Sequence, residues 1–284
     1  MTITIGWVRR NKDTCELLIA SDSRLRSRGS IDESQKIVLL QRGDCCLGFC
    51  GDTQIAFPLF FQIASAFNNF LGTRTRAKDI TDVTDYIAAI ANNFVKSWDL
   101  AQADKNEELQ STRIMFAGWS WRHHRFTIKV LGFYGDKFKF NRYTTTLPHP
   151  WKERHKSLVV IGDYKTEYMQ ALELVLEKRH GAFSKIKDEK KVFDFDYEPV
   201  QALQNILSNN SKLDLVGGSS QMAKVYSFGN SLPIVIRNQL NEHFLLGRRL
   251  FPWERTEYPI LDLGANTPKF HYPLEHIPDP HEIV

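Results

Sequence analysis

Thr2-Ile3-Thr4-Ile5-Gly6-Trp7-Val8-Arg9-Arg10, followed after Asn11-Lys12-Asp13 by Cys15-Glu16-Leu17-Leu18-Ile19-Ala20, decides the fold. Both runs are rich in β-branched and apolar residues, and the polar residues between them form a turn, which together predict an antiparallel hairpin. Ile37 to Leu40, the turn Gln41-Arg42-Gly43-Asp44 and Cys45 to Cys50 repeat the pattern. Gly51-Asp52-Thr53 then offers a helix N-terminus, where Pro58 is tolerable only near the first turn. The nearly unbroken apolar run from Ile55 to Leu71 predicts that this helix is largely buried.

Working outward, Ile80, Val83, Ile87, Ile90, Phe94 and Trp98 recur at helical spacing and predict a helix over about 78–100. A polar stretch, 101–112, precedes a three-strand meander at Ile114–Ser120, Phe126–Phe133 and Lys137–Tyr143. A strand at Leu158–Ile161 leads to a helix over about 165–179 and a second opened by Pro199, then to strands near 221–228 and 232–237. Helices that arrive in pairs between groups of strands predict an α+β fold. Its expected form is a four-layer αββα sandwich, two antiparallel sheets face to face with a helix pair outside each. That domain covers 2–237. Residues 238–284 read as a C-terminal arm, because Pro252, Pro259, Pro268, Pro273, Pro278 and Pro280 forbid a long helix there.

The chain has 284 residues, 42% hydrophobic and 25% charged, which excludes a wholly disordered polymer. No apolar run reaches about 18 residues, so no membrane-spanning helix is expected. The N-terminus lacks the basic-then-apolar order of a secretory signal. Cys15, Cys45, Cys46 and Cys50 form no C-x-x-C pair and suit a reducing compartment, so the expectation is a soluble cytoplasmic protein. Net charge is only +4, yet 121–157 carries nine basic residues against Asp136 and Glu153. Aromatic residues interleave with that basic stretch as in a single-strand nucleic-acid groove. Lys137-Phe138-Lys139-Phe140 alternates, however, as a half-buried strand with its lysines in solvent, and nucleic acid is disfavoured. The scattered histidines, including His123-His124 at a predicted hairpin tip, offer no zinc spacing, and no glycine-rich phosphate loop is present.

Chemistry concentrates at the start. If Met1 is removed, Thr2 carries a hydroxyl beside its own α-amino group, whose ordinary pKa of about 8 makes it a usable base near neutrality. Asp22, in Ala20-Ser21-Asp22-Ser23-Arg24, ends the second strand, and Lys36 opens the third. Together they can form a buried cation beside the hydroxyl with a carboxylate to hold it. Gly48 has a backbone N–H suited to a developing oxyanion, or else marks close strand packing. Taken separately, each has an ordinary role: a turn carboxylate for Asp22, a solvated strand-start cation for Lys36, and small buried hydrophobes for Cys46 and Cys50.

These residues resemble those of proteasome β-subunits, and especially their bacterial relative, the peptidase of the HslUV-type ATP-dependent protease. The resemblance rests on Thr2-Ile3-Thr4-Ile5-Gly6, Val8-Arg9-Arg10-Asn11, Leu18-Ile19-Ala20-Ser21-Asp22-Ser23-Arg24, Gln35-Lys36-Ile37 and Leu47-Gly48-Phe49-Cys50-Gly51-Asp52. It covers about 2–70 in detail, with weaker echoes at Val160-Ile161-Gly162 and Gly217-Gly218. It implies an N-terminal-nucleophile hydrolase, a threonine peptidase without cofactor or metal. Thr2 would be the nucleophile and Gly48 the oxyanion donor. Lys36 would lower the proton affinity of Thr2, and Asp22 would orient Lys36. Cys46 and Cys50 would line the first specificity pocket. The implied partners are a peptide or protein substrate, further copies of the chain (a ring among the forms) and an ATP-driven unfoldase.

Four positions depart from the pattern. Asp163 stands where the family has a serine beside the threonine amine, Asp214 is one position out of register with the family aspartate, and Val216 replaces a second serine. Arg26 falls where a small residue usually meets the substrate backbone. Hydrolysis of a small amide, or a non-catalytic proteasome-like subunit acting in binding or assembly, are the alternatives these departures favour.

Overall fold

In the computed structural model, residues 2–11, 14–26, 29–98, 102–141, 145, 158–180, 195–208, 216–264 and 268–272 are described. The first hairpin is β1 (Ile3–Asn11) and β2 (Thr14–Asp22), with Thr4 opposite Ser21 and Asn11 opposite Thr14. A short ribbon, β3 (Leu25–Arg26) and β4 (Ser30–Ile31), precedes the second hairpin, β5 (Ile37–Leu39) and β6 (Cys45–Cys50). Helices α1 (Thr53–Asn69), α2 (Leu71–Arg74), α3 (Thr84–Lys96) and α4 (Gln102–Ser111) follow. The meander is β7 (Arg113–Ser120), β8 (Arg125–Tyr134) and β9 (Lys137–Asn141). Next come β10 (Val159–Gly162), α5 (Lys165–His180), α6 (Glu198–Ser208), β11 (Ser220–Tyr226) and β12 (Ser231–Arg237). The chain closes with β13 (His243–Leu245), β14 (Arg248–Arg249), β15 (Ile260–Asp262) and β16 (Lys269–His271).

The protein is therefore mixed α+β with its long strands antiparallel. One sheet runs β10-β1-β2-β11-β12-β13-β14, with β15 and β16 attached beside β12, and a second runs β5-β6-β7-β8-β9. Period-two alternation explains how each sheet has two buried faces. Ile3, Ile5, Trp7, Leu18 and Ala20 point toward Tyr168, Leu172 and Leu203 of α5 and α6. Leu17 and Ile19, the residues between, meet Cys46, Met115 and Val130 of the other sheet. On β6 the same alternation sends Cys45, Leu47 and Phe49 onto Ile55, Leu59 and Ile63 of α1, and Cys46 and Cys50 toward the first sheet.

Helix α1 is the largely buried helix expected from Ile55 onward: capped by Asp52 accepting from the Gln54 amide at 2.7 Å, it continues past Pro58. Burial of Ile55, Leu59 and Ile63 outweighs the one helix hydrogen bond that proline cannot donate. Helix α3 begins at Thr84 rather than near 78, because Asp79 takes the Thr81 amide at 2.9 Å and the Ser120 hydroxyl at 2.9 Å and holds 79–83 in a turn. Polar 102–111 is helical, α4, with Leu109 buried. The proline-rich segment after 237 joins the first sheet: β13 pairs antiparallel and β15 parallel with Val235–Arg237. Leu261 and Leu263 enter the core beneath α5 and α6. In the meander, Lys137 and Lys139 are exposed and Phe138 is buried, the alternation read from sequence. Among the described residues, no helix is long and apolar enough to cross a membrane.

Candidate active site

The β1–β2 register sets Asp22, the last residue of β2, beside the start of β1, so the Ile3 amide donates to Asp22 Oδ1 at 3.1 Å. Lys36, just before β5, reaches the same point from the other sheet. Its Nζ donates to Thr2 Oγ1 at 2.7 Å and to both Asp22 oxygens at 3.0 Å. Lys36 and Asp22 are fully buried, and Thr2 is 1% exposed. Three separate elements thus converge on one ammonium, whose three protons each have an acceptor.

Asp22 also receives the backbone amides of Arg24 at 3.2 Å and Gly217 at 3.3 Å. Burial pushes its carboxyl upward in pKa, against the opposing charge and hydrogen bonds of Lys36. Burial pushes the Lys36 ammonium downward, against the charge of Asp22. Every described hydrogen bond to the Asp22 carboxyl comes from an N–H donor, which favours the carboxylate and the Lys36–Asp22 ion pair against the burial that opposes both charges. Such a pair is held by geometry, since desolvation offsets most of its attraction.

Thr2 Oγ1 accepts from Lys36, which leaves its own proton free to be taken by a base. As that proton departs, the ammonium is already placed to stabilise the alkoxide. Behind Thr2, Ile3 pairs with Gly162, whose φ is +126°. A Cβ on Gly162 would stand 1.9 Å from the Thr2 carbonyl oxygen, so glycine is required for the strand start to seat there.

Gly48 lies in β6 opposite Ile37, the neighbour of Lys36, which brings its backbone to the edge of the site. A Cβ on it would be 2.8 Å from both Ile19 Cδ1 and Thr4 Cγ2, the close sheet-to-sheet approach that also accounts for glycine. Cys50 is buried within electrostatic range of Lys36 and Asp163, and burial first, then Asp163, pushes its thiol up to about 12. Cys46 is a core residue whose Sγ points at the Ala117 carbonyl at 3.6 Å, and burial pushes it up to about 12 as well. Asp163 is exposed, one residue beyond β10. Arg26 is exposed in the β3–β4 ribbon opposite Ser30. Val216 is buried among the residues beneath α5 and α6. Asp214 lies outside the described residues.

Sequence reasoning missed Gln221. Fully buried on β11, it contacts the backbone on both sides of the Lys36–Asp22 pair. A lone glutamine before Met222 and Ala223 gives no local signal, because its partners lie 184 to 199 residues away.

No protein-family model matches this chain, and no curated protein sequence matches it.

Proposed function

We propose that the chain is an N-terminal-nucleophile hydrolase resembling proteasome β-subunits, which cleaves amide bonds, most readily those of peptides, with Thr2 after Met1 is removed. The observation that carries this reading is Lys36 Nζ, buried at 2.7 Å from Thr2 Oγ1 and held by both oxygens of Asp22. Thr2 Oγ attacks the substrate carbonyl while the Thr2 α-amine takes its proton. Lys36 stabilises the alkoxide, and Asp22 keeps Lys36 aimed. The tetrahedral oxyanion is assigned to a backbone N–H at the Gly48 strand. Collapse expels the amine with the proton, and water releases the acyl group from the Thr2 ester.

Retention of Met1 would convert the base into an amide nitrogen and leave no proton acceptor, so processing is intrinsic to the proposal. The two sheets packed through Leu17, Ile19, Cys46 and Met115, with α5 and α6 outside one and α1 and α3 outside the other, support the four-layer αββα reading. Assembly into a homo-oligomer, ring-shaped by analogy, and an unfoldase partner belong to the same proposal. Intact mass and N-terminal sequencing show whether Thr2 is freed. A peptide boronate or vinyl sulfone should then label the chain at Thr2, and Thr2→Ala should abolish labelling. A chain that keeps Met1, or that frees Thr2 yet neither labels nor hydrolyses peptides, is not this enzyme.

A further inference from the structure

The Lys36–Asp22 pair spans two sheets, and something must fix one against the other at that point. Lys36 precedes β5, the edge strand of the five-stranded sheet, while Asp22 ends β2 of the larger one. Gln221 of β11 sits opposite Ser21, beside the end of β2. Its Oε1 accepts from the Lys36 amide at 2.9 Å and the Ile37 amide at 3.2 Å. Its Nε2 donates to the Asp22 carbonyl at 2.9 Å and the Ser34 carbonyl at 3.0 Å. The terminal amide thus makes two acceptor and two donor contacts, all with main chain. Its orientation is unambiguous, since reversal would set nitrogen against two N–H groups and oxygen against two carbonyls.

The C-terminal segment closes over this clamp. Gly247, at φ +88° in the turn between β13 and β14, lies where an added Cβ would be 2.7 Å from the Ser34 carbonyl oxygen, 2.8 Å from Ser23 Cβ and 3.3 Å from Gln221 Nε2. The Ser219 hydroxyl donates to the Gly247 carbonyl at 3.3 Å.

We propose that Gln221 is the positioning residue that sets the distance from Lys36 Nζ to Asp22 and Thr2 by fastening the Lys36 backbone to the end of β2. It touches no reacting atom and acts through Lys36. The inference rests on the Thr2 reading for its catalytic meaning, and its geometric content is separately testable.

The test uses the full chain with lysine carrying 13C at Cε, comparing wild type with Gln221→Met, which keeps side-chain length and removes all four hydrogen bonds. In the wild type, the Lys36 13Cε resonance should be distinct and titrate below the ordinary lysine range. In folded Gln221→Met it should move toward the exposed-lysine position, and the rate of Thr2 labelling by a peptide boronate should fall by about tenfold or more, the scale expected when buried polar groups lose their partners. Gln221→Asn, which keeps the amide one methylene short, should fall between the two, and is read by the same criteria where Gln221→Met does not fold. An unchanged Lys36 resonance in a folded variant overturns the inference. A shifted Lys36 resonance in a protein whose wild type never labels at Thr2 leaves the clamp standing and removes the hydrolase reading.

Discussion

Asp22→Asn tests the buried pair most directly. The substitution keeps the side-chain shape and removes the charge that holds Lys36 Nζ at 3.0 Å from each oxygen. Four donor groups make five hydrogen bonds to the two carboxylate oxygens: Lys36 Nζ to both, and the amides of Ile3, Arg24 and Gly217 to one each. An asparagine retains one acceptor oxygen and turns an NH2 group toward the remaining donors. Removing one partner of a fully buried ion pair costs about 3–5 kcal/mol. At about 2–4 °C per kcal/mol for a chain of this size, the melting temperature should fall by about 6–20 °C.

The pH dependence separates lost charge pairing from lost packing. Without the charge and hydrogen bonds of Asp22, burial drives the Lys36 pKa further down. Folded Asp22→Asn then holds Lys36 neutral at pH values where the unfolded chain still holds it protonated. The unfolded state binds more protons, so the variant gains stability as pH rises, by about 1.4 kcal/mol per unit, until the ordinary lysine value is reached. In the wild type the ion pair delays this gain. The deficit of Asp22→Asn should therefore be largest near pH 7 and narrow toward pH 9, as read by urea unfolding of both proteins at each pH. Asp22→Asn/Lys36→Met should be less destabilised than the sum of the single variants, since it leaves no buried charge. A deficit below about 1 kcal/mol, or one of constant size across that range, would refute the pairing argument.

The thiols of Cys46 and Cys50, pushed up to about 12 by burial, should resist iodoacetamide in the native chain and react once it is unfolded, as peptide mass mapping would show. Because the unfolded thiols ionise first, stability falls as pH rises from their ordinary 9.0 toward about 12, a trend common to wild type and Asp22→Asn that cancels in their difference. Gly247→Ala should cost about 1–3 kcal/mol, from the left-handed backbone and the crowding against Ser34 and Ser23, and calorimetry measures it. Glu254, bound by Arg248 and by the Phe251 amide, has its carboxyl lowered to about 2, so its contribution is complete above its ordinary 4.5 and is lost as pH falls toward about 2. An NMR titration giving Glu254 an ordinary value would refute that contact.

The parts of this structure legible in the sequence are those whose information is local. The strand-forming runs Thr4–Val8 and Cys15–Ala20 and the polar turn between them carry the first hairpin, and Lys137–Phe140 reveals which face of β9 is wet. Thr2, Asp22 and Lys36 were identifiable as candidates because each ends or begins an apolar strand with an ionisable or hydroxyl group. The start of α3 was misread because Asp79 is held by Ser120, 41 residues away. The strands after 237 were hidden because three-residue runs such as Ile260–Asp262 have no periodicity of their own and pair with Val235–Arg237 through the fold. Gln221 was invisible for the same reason.

A second buried pair shows what is unusual about Lys36 and Asp22. Arg42 and Asp44 are also buried, at 2.6 Å, but they are two residues apart in the turn between β5 and β6. Arg42 also donates to the Lys78 carbonyl at 2.9 Å, and Arg76 donates to the Arg42 carbonyl. The last two contacts tie this turn to the loop beyond α2, which is a sufficient structural reason for the pair. Lys36 and Asp22 come from different sheets, and their third partner is the hydroxyl of Thr2, the residue just before β1. For stability alone, a buried ion pair is commonly matched by apolar side chains, although at 22 these would also remove the acceptor shared by the amides of Ile3, Arg24 and Gly217. What such a replacement could not supply is an ammonium fixed at 2.7 Å from Thr2 Oγ1. Under the proposed function, that ammonium, carried on a backbone clamped by Gln221, serves the chemistry of the threonine.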